Sequence, residues 1–218
     1  MNRTIIFIRH GETIHDRIGK FQRINSPLSS KSKKIALRFL KSVKKIEPSV
    51  VIRSALKRSI ETANLLFKDM ETSFITNELF NEIKEPNSLR GKNISPELSF
   101  LDKAVSKYDL EPNYKVEDSE SLSEFIARVK KSQDFLLRSS EKKTVISSHG
   151  LFMRIFLLLS LFSPEMINSE LIQAVRDRVL IDKFNCSLFS IKGDKFILEK
   201  WNISLESLVG KQISKLHL

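Results

Sequence analysis

Arg9 and His10 follow directly on Ile5-Ile6-Phe7-Ile8, and a second histidine, His149, follows Thr144-Val145-Ile146-Ser147-Ser148. Each histidine is succeeded by a glycine, Gly11 and Gly150, at which the backbone can turn away. Short runs rich in β-branched residues read as buried strands, and in open α/β sheets ligands bind at the carboxyl ends of the strands. Two such units deliver two imidazoles to one edge of one sheet. Arg58, near the first turn of a helix-periodic stretch that follows Ser49-Val50-Val51-Ile52, is placed to join them. Guanidiniums present fixed forks of donors to phosphate oxygens and stay charged at any working pH. A neutral imidazole beside them can attack phosphorus in line and form a phosphohistidine, which splits one difficult displacement into two easier ones. The second imidazole, if protonated, stabilises charge on the equatorial oxygens. Phosphoryl transfer needs chiefly alignment and charge neutralisation, so the set can work with no metal and no cofactor. The leaving alkoxide needs a proton, which calls for a carboxylic acid whose pKa is raised by burial. Glu82 and Glu85 both serve on chemistry alone. His15 and His217 read as ordinary surface histidines.

The elements that must hold these residues alternate between strand and helix. A basic segment from Lys31 carries Ile35, Phe39, Val43 and Ile46 at helical spacing and closes at Pro48. A strand over 49–52, a helix over 55–68 and a strand over 73–76 follow. Residues 81–118 carry Pro86, Pro96 and Pro112 and few periodic signals apart from a helix near 96–107, so they read as a loop-rich insertion covering one face of the sheet. Ser119 or Ser121 caps a helix running to about Leu137. After the second strand-His-Gly unit come an apolar helix, a helix over 164–180, and two closing strands near 187–191 and 196–201 joined at Gly193-Asp194. Residues 205–218 read as a tail or short helix. The pattern predicts a single domain over 1–218, an α/β fold built as a three-layer α/β/α sandwich with a mostly parallel central sheet and an antiparallel edge.

Composition narrows the function classes. Among 218 residues, 41% are hydrophobic and 29% charged, ordinary for a globular protein. The single cysteine, Cys186, rules out an intrachain disulfide. The first apolar run has four residues and leads into Arg9, so no secretory leader is expected, and the run from Leu151 to Phe162 contains Arg154 and is too short to span a bilayer. The expected location is the cytoplasm. A net charge of +11 is concentrated on Lys31, Lys33, Lys34, Arg38, Lys41, Lys44 and Lys45, which on an amphipathic helix reads as a solvated face, with an anionic partner as the alternative. No zinc-ligand spacing or RNP-like aromatic motif accompanies it, so nucleic acid is not an expected partner.

The chemistry-bearing residues fall in blocks that resemble the histidine phosphatase superfamily, also called the phosphoglycerate mutase-like family. Its opening Arg-His-Gly-Glu-Thr is present as Arg9-His10-Gly11-Glu12-Thr13, its second block as Ser54-Ala55-Leu56-Lys57-Arg58-Ser59-Ile60-Glu61-Thr62-Ala63, and its third as Ser148-His149-Gly150. The segment Asn81-Glu82-Ile83-Lys84-Glu85-Pro86-Asn87-Ser88-Leu89-Arg90-Gly91 is similar to the family segment in which a glutamate stands four residues before a proline and nine before a glycine. Asn185-Cys186-Ser187 and Trp201-Asn202 are similar to its closing strands. The resemblance runs over about residues 4–203, with three blocks in family order. It implies His10 as the phosphorylated nucleophile, Arg9, Arg58 and His149 as the phosphate pocket, and Glu82 rather than Glu85 as the proton donor. Substrate contacts are implied for Arg9, Thr13, Asp16, Gln22, Arg58, His149 and Gly150. Asp16 stands where many members have asparagine, Asn25 where aspartate is common, and Ser32 where glycine is usual. Mutases of the family tend to carry a larger insertion than 81–118, so the resemblance favours a metal-independent phosphomonoester hydrolase acting on a small phosphorylated metabolite. A mutase, and a non-catalytic phosphate-recognising module, are the alternatives.

Overall fold

Four apolar residues flanked by Thr4 and Arg9 form the middle of β1 (Arg3–Arg9), the first strand of a computed structural model that describes residues 3–95 and 99–209. A short helix α1 (Ile14–Arg17), then α2 (Ser30–Arg38) and α3 (Leu40–Val43), lead to β2 (Val50–Arg53), α4 (Lys57–Phe67) and β3 (Ser73–Thr76). Two single 3-10 turns, Glu78–Phe80 and Asn87–Leu89, precede α5 (Phe100–Lys107). The remainder is α6 (Leu122–Arg138), β4 (Lys143–Ser148), α7 (Gly150–Leu161), α8 (Ser169–Arg178), β5 (Cys186–Lys192), β6 (Lys195–Ile203) and α9 (Leu205–Val209).

The strands form one sheet in the order β3-β2-β4-β1-β5-β6. Pairings among β3, β2, β4 and β1 are parallel, and those of β5 with β1 and with β6 are antiparallel. Alternation along the strands divides the core in two. Ile5 and Phe7 of β1, Val50 and Ile52 of β2, and Phe189 and Ile191 of β5 pack with α5, α6, α7 and α8. Ile6 and Ile8, Val51, and Cys186 and Leu188 pack on the other side with α2, α3, α4 and α9. Strands buried on both faces are what a parallel sheet between two helical layers requires, and the expected α/β/α sandwich is the observed fold.

Two expected helices are interrupted. The basic segment divides at Phe39, whose N–H bonds to the Ala36 carbonyl three residues back at 3.1 Å, tightening the turn between α2 and α3. The helix expected over 164–180 is a 3-10 turn, Pro164–Met166, then extended backbone at Ile167, and α8 begins only after Asn168, whose side chain caps it through the Leu171 N–H. Of the two candidate caps for α6, Ser121 is used, in a reciprocal capping box with Glu124. The expected helix near 96–107 begins at Phe100, with 96–98 outside the described residues. Of the expected tail, 205–209 form α9 and the rest, including His217, lies outside them. No helix among the described residues is long and apolar enough to cross a membrane.

Candidate active site

Register places the two histidines side by side. β1 and β4 pair in parallel with Arg9 opposite Ser148, so the next residue of each is a histidine, and the His10 N–H continues the ladder to the Ser148 carbonyl at 3.0 Å. Their ring centroids are 5.0 Å apart, tilted by 56°. Both are buried, His10 to 5% exposure and His149 to 0%.

Each ring has a partner at one nitrogen. His10 Nδ1 lies 2.7 Å from the Gly11 carbonyl, which can only accept, so Nδ1 carries the proton and Nε2 keeps its lone pair. His149 Nε2 lies 2.7 Å from Ser54 Oγ, which also accepts the Leu56 N–H at 3.3 Å. A hydroxyl can donate and accept at once, so Ser54 Oγ pairs with Nε2 in either tautomer, and His149 Nδ1 is a buried atom with no partner among the described residues. Burial first, then the charges of Lys183, Arg58, His149 and Arg9, hold the His10 pKa well below the ordinary histidine value. Burial, followed by Arg58 and Lys183, does the same for His149. His149 is therefore held neutral, without the positive charge expected of a protonated ring.

The arginines complete the cluster. Arg9 donates from Nη1 to the Ile181 carbonyl, while its Nε is buried with no partner among the described residues. Arg58, 4% exposed, enters from the first turn of α4; its Nη1 donates to the Arg23 carbonyl at 3.4 Å, and its Nε too is buried and free. Burial lowers both guanidinium pKa values, against the opposing pull of Glu82 and Asp16. Among the described residues, three buried side-chain nitrogens around His10, two of them guanidinium N–H donors, have no partner, which suits an oxyanion-binding site.

Gly11 is a glycine for reasons of space, and Gly150 sits close against two guanidiniums. A Cβ on Gly11 would lie 2.3 Å from Ser32 Oγ and 2.4 Å from the Phe184 ring. On Gly150 it would lie 3.3 Å from the Arg9 guanidinium carbon. Gly150 opens α7, and the next two N–H groups, of Leu151 and Phe152, donate to the two Glu82 oxygens at 3.0 Å each. Glu82 is thereby held in the wall of the site. Glu85 lines the same pocket, its pKa raised to about 7 by burial and by the charge of Glu82, against Arg58 and Arg90.

Thr13, Asp16 and Gln22 form one unit. Thr13 is fully buried below the pocket wall, caps α1 by accepting the Asp16 N–H at 3.0 Å, and donates to Gln22 Oε1 at 3.0 Å. Asp16 accepts from the Thr13 N–H and from Gln22 Nε2, each at 2.8 Å. Asp16 and Gln22 reach the pocket; Thr13 orients them from behind. His15 bonds to Ser26 at 2.9 Å, apart from the cluster.

Sequence reasoning missed Lys183. Its ammonium lies 2.9 Å from Asp16 Oδ2 and lines the pocket. Burial and then Arg9 lower its pKa to about 8, against the pull of Asp16. At Asp16, burial raises the carboxyl pKa, but Lys183 and hydrogen bonds from Thr13 outweigh it and the net shift is downward. Lys183 arrives by a turn in which Phe184 adopts φ of 63° and donates its N–H to the Arg9 carbonyl at 3.0 Å. Asn202 straps that turn from β6, accepting the Asp182 N–H at 2.8 Å and Asn185 Nδ2 at 2.9 Å. The available signal was Asp16 itself, a carboxylate beside an anion site that demands a counter-cation.

The pocket encloses about 660 Å³, the size of a small-molecule site. Several charges on its wall are paired: Lys84 with Asp118, Lys115 with Glu124, and Arg128 with Glu120.

Comparison with known proteins gives matching results. The family model described as histidine phosphatase superfamily (branch 1) matches residues 5–204. A search of curated proteins returns no match. Among solved structures, Bacillus stearothermophilus YhfR superposes with a TM-score of 0.75 at 18% identity, covering 94% of this chain and 99% of that one. The alpha-ribazole phosphatase from Shigella flexneri gives 0.74 at 17%, covering 91% and 96%. A mycobacterial glucosyl-3-phosphoglycerate phosphatase, solved with VO3, gives 0.72 at 17%, covering 93% and 100%. Similarity at that identity is similarity of fold.

Proposed function

The chain belongs to the histidine phosphatase superfamily, and from that premise we propose that it is a metal-independent phosphomonoester hydrolase working through a phosphohistidine at His10 on a small phosphorylated metabolite. The observation that carries this reading is a neutral, buried His10 whose Nδ1 is tied to the Gly11 carbonyl, so that Nε2 is free among Arg9, Arg58 and His149. In the first step the Nε2 lone pair forms the N–P bond as the ester P–O bond breaks. The departing oxygen takes a proton from the acidic wall, with Glu82 as the donor. In the second step water attacks phosphorus, gives its proton to that carboxylate, and breaks the N–P bond, releasing inorganic phosphate and free imidazole. Arg9, Arg58 and His149 bind the phosphoryl oxygens in both steps, where donors already in place stabilise the transition state without reorganising.

The test measures phosphate release from p-nitrophenyl phosphate in the presence of chelator, with acid-labile phosphoenzyme trapped in the same samples, for wild type and His10→Ala. Turnover and phosphoenzyme in wild type alone support the proposal. A phosphoenzyme that resists water and passes its phosphoryl group to a sugar-acid acceptor makes the chain a mutase. Phosphate-ester binding with neither signal makes it a recognition module.

A further inference from the structure

The second half of the pocket is not used by the reaction above, and two of its cations are unaccounted for. Arg23 is exposed and Arg90 half-buried, both line the cavity, and among the described residues neither forms an ion pair. They come from loops far apart in sequence that the fold ties together. The Gly91 N–H donates to the Phe21 carbonyl at 3.1 Å, the Phe21 N–H to the Lys92 carbonyl at 2.9 Å, and the Ile94 N–H to the Gly19 carbonyl at 2.8 Å. Gly91 holds φ of 80°, and its open face is covered by the Arg23 guanidinium; a Cβ there would lie 2.6 Å from Arg23 Nη2. Arg23 therefore rests on the backbone of the residue next to Arg90. The same loop meets the reaction centre, because the Arg23 carbonyl accepts Arg58 Nη1 at 3.4 Å. Glu85 is the carboxyl whose charge Arg90 and Arg58 feel, and with its pKa raised to about 7 it is only partly ionised near neutrality.

We propose that Arg23 and Arg90 form a second anion subsite at the rim of the pocket, so that the substrate is a phosphate monoester carrying a further anionic group, a carboxylate or a second phosphate. The inference rests on the phosphatase reading and narrows its substrate class. Arg9, Arg58 and His149 take the phosphoryl group that is transferred, and the rim pair takes the group that stays, which fixes the ester's orientation against His10 as a remote binding group does. Two guanidiniums lining one pocket from adjoining loops suit a carboxylate or the oxygens of a phosphate.

The experiment compares kcat/KM for three esters on one carbon skeleton: 3-hydroxypropyl phosphate, 3-(phosphonooxy)propanoate and propane-1,3-diyl bisphosphate. In wild type at least one of the anionic esters should exceed the hydroxyl ester by about tenfold or more, the scale of a hydrogen bond to a charged group. Which of the two is favoured tells carboxylate from phosphate. In the Arg23→Ala/Arg90→Ala double variant that ratio should fall to near one. Because the ratio is internal to each variant, a general loss of activity does not imitate the effect. Arg23→Glu, at an exposed side chain, gives an independent measurement and should carry the ratio below one. A wild-type ratio near one, or a preference that survives in the double variant and in Arg23→Glu, overturns the subsite. Wild type that turns over none of the three esters, nor p-nitrophenyl phosphate, overturns the phosphatase reading instead.

Discussion

At Asp16 a carboxylate faces a pocket built from arginines, and Lys183 sits on it at 2.9 Å. The pair explains how aspartate is tolerated where the family pattern has asparagine: the charge that would repel a phosphate is already matched. Lys183→Met should leave that carboxylate uncompensated and raise KM for p-nitrophenyl phosphate, and Asp16→Asn in the same chain should restore most of the loss, a coupling of about 0.5–3 kcal/mol for contacting charges. A double variant as impaired as Lys183→Met would show that the ammonium binds phosphate in its own right. Glu85 makes a prediction of a different kind. Its pKa rises from the ordinary glutamate value of 4.5 to about 7 on folding. The folded chain then binds more protons than the unfolded chain between those values. The contribution to stability is complete below about pH 4.5 and is lost as pH rises through about 7, on the order of 3 kcal/mol in all. The buried His10 and His149, held neutral in the fold, push stability the other way over the same range. The Glu85 share is therefore the difference between wild type and Glu85→Gln in urea unfolding at pH 5 and pH 8. Wild type should lose more stability, or gain less, than the variant between the two, and equal changes would mean the carboxyl is solvated. Between the two glutamates, kinetics decide the donor. Glu82→Gln should slow an alkyl phosphate by about 10²–10⁴-fold and an activated aryl ester far less, and equal losses on both would transfer the role to Glu85.

Among the elements, the end of β1 is the most constrained. Gly11 lies under Ser32 of α2 and the Phe184 ring, and its carbonyl sets the His10 tautomer. Gly11→Ala should therefore lose about 1–3 kcal/mol to overpacking and lose turnover with it. Ser32→Gly in the same chain should recover only part of the stability, because the Phe184 clash at 2.4 Å persists; full recovery in thermal melts would place the whole conflict on the hydroxyl. The strands were legible because two-residue alternation and β-branched runs are local signals, and the paired histidines because each closes such a run. The break at Phe39 was not. Ile35, Phe39, Val43 and Ile46 keep helical spacing across it, since both short helices bury the same side against the second core layer. Lys183 was out of reach for the opposite reason. It is 167 residues from Asp16, and it reaches the pocket through a left-handed Phe184 and an asparagine strap from another strand. Such placement depends on antiparallel pairing between β1, β5 and β6, which no window of sequence contains. Arg23 and Arg90 were likewise set by the pairing of two loops.

Across the whole molecule, the net charge of +11 separates into two populations. Arg9, Arg58 and Lys183 act at contact distance inside the pocket, whereas Lys33, Lys34 and Lys41 are exposed on α2 and α3, in the helical layer opposite α5–α8, and none of them lines the pocket. Exposed charges of this second kind act only through the field around the protein, which gathers anions in proportion to its reach. That reach is about 30 Å at 0.01 M salt and about 8 Å at 0.15 M. Lys33→Glu, Lys34→Glu and Lys41→Glu together remove six units, two per reversal, and take +11 to +5. At low salt the triple variant should lose kcat/KM toward phosphate esters about several-fold, and at 0.15 M it should match wild type within about twofold, because screening has by then removed the difference in field. Salt titration of both proteins checks this. Curves that converge identify the basic face as a solvated surface with a long-range role. A deficit that persists at 0.15 M would mean that this face touches the substrate or another anion directly.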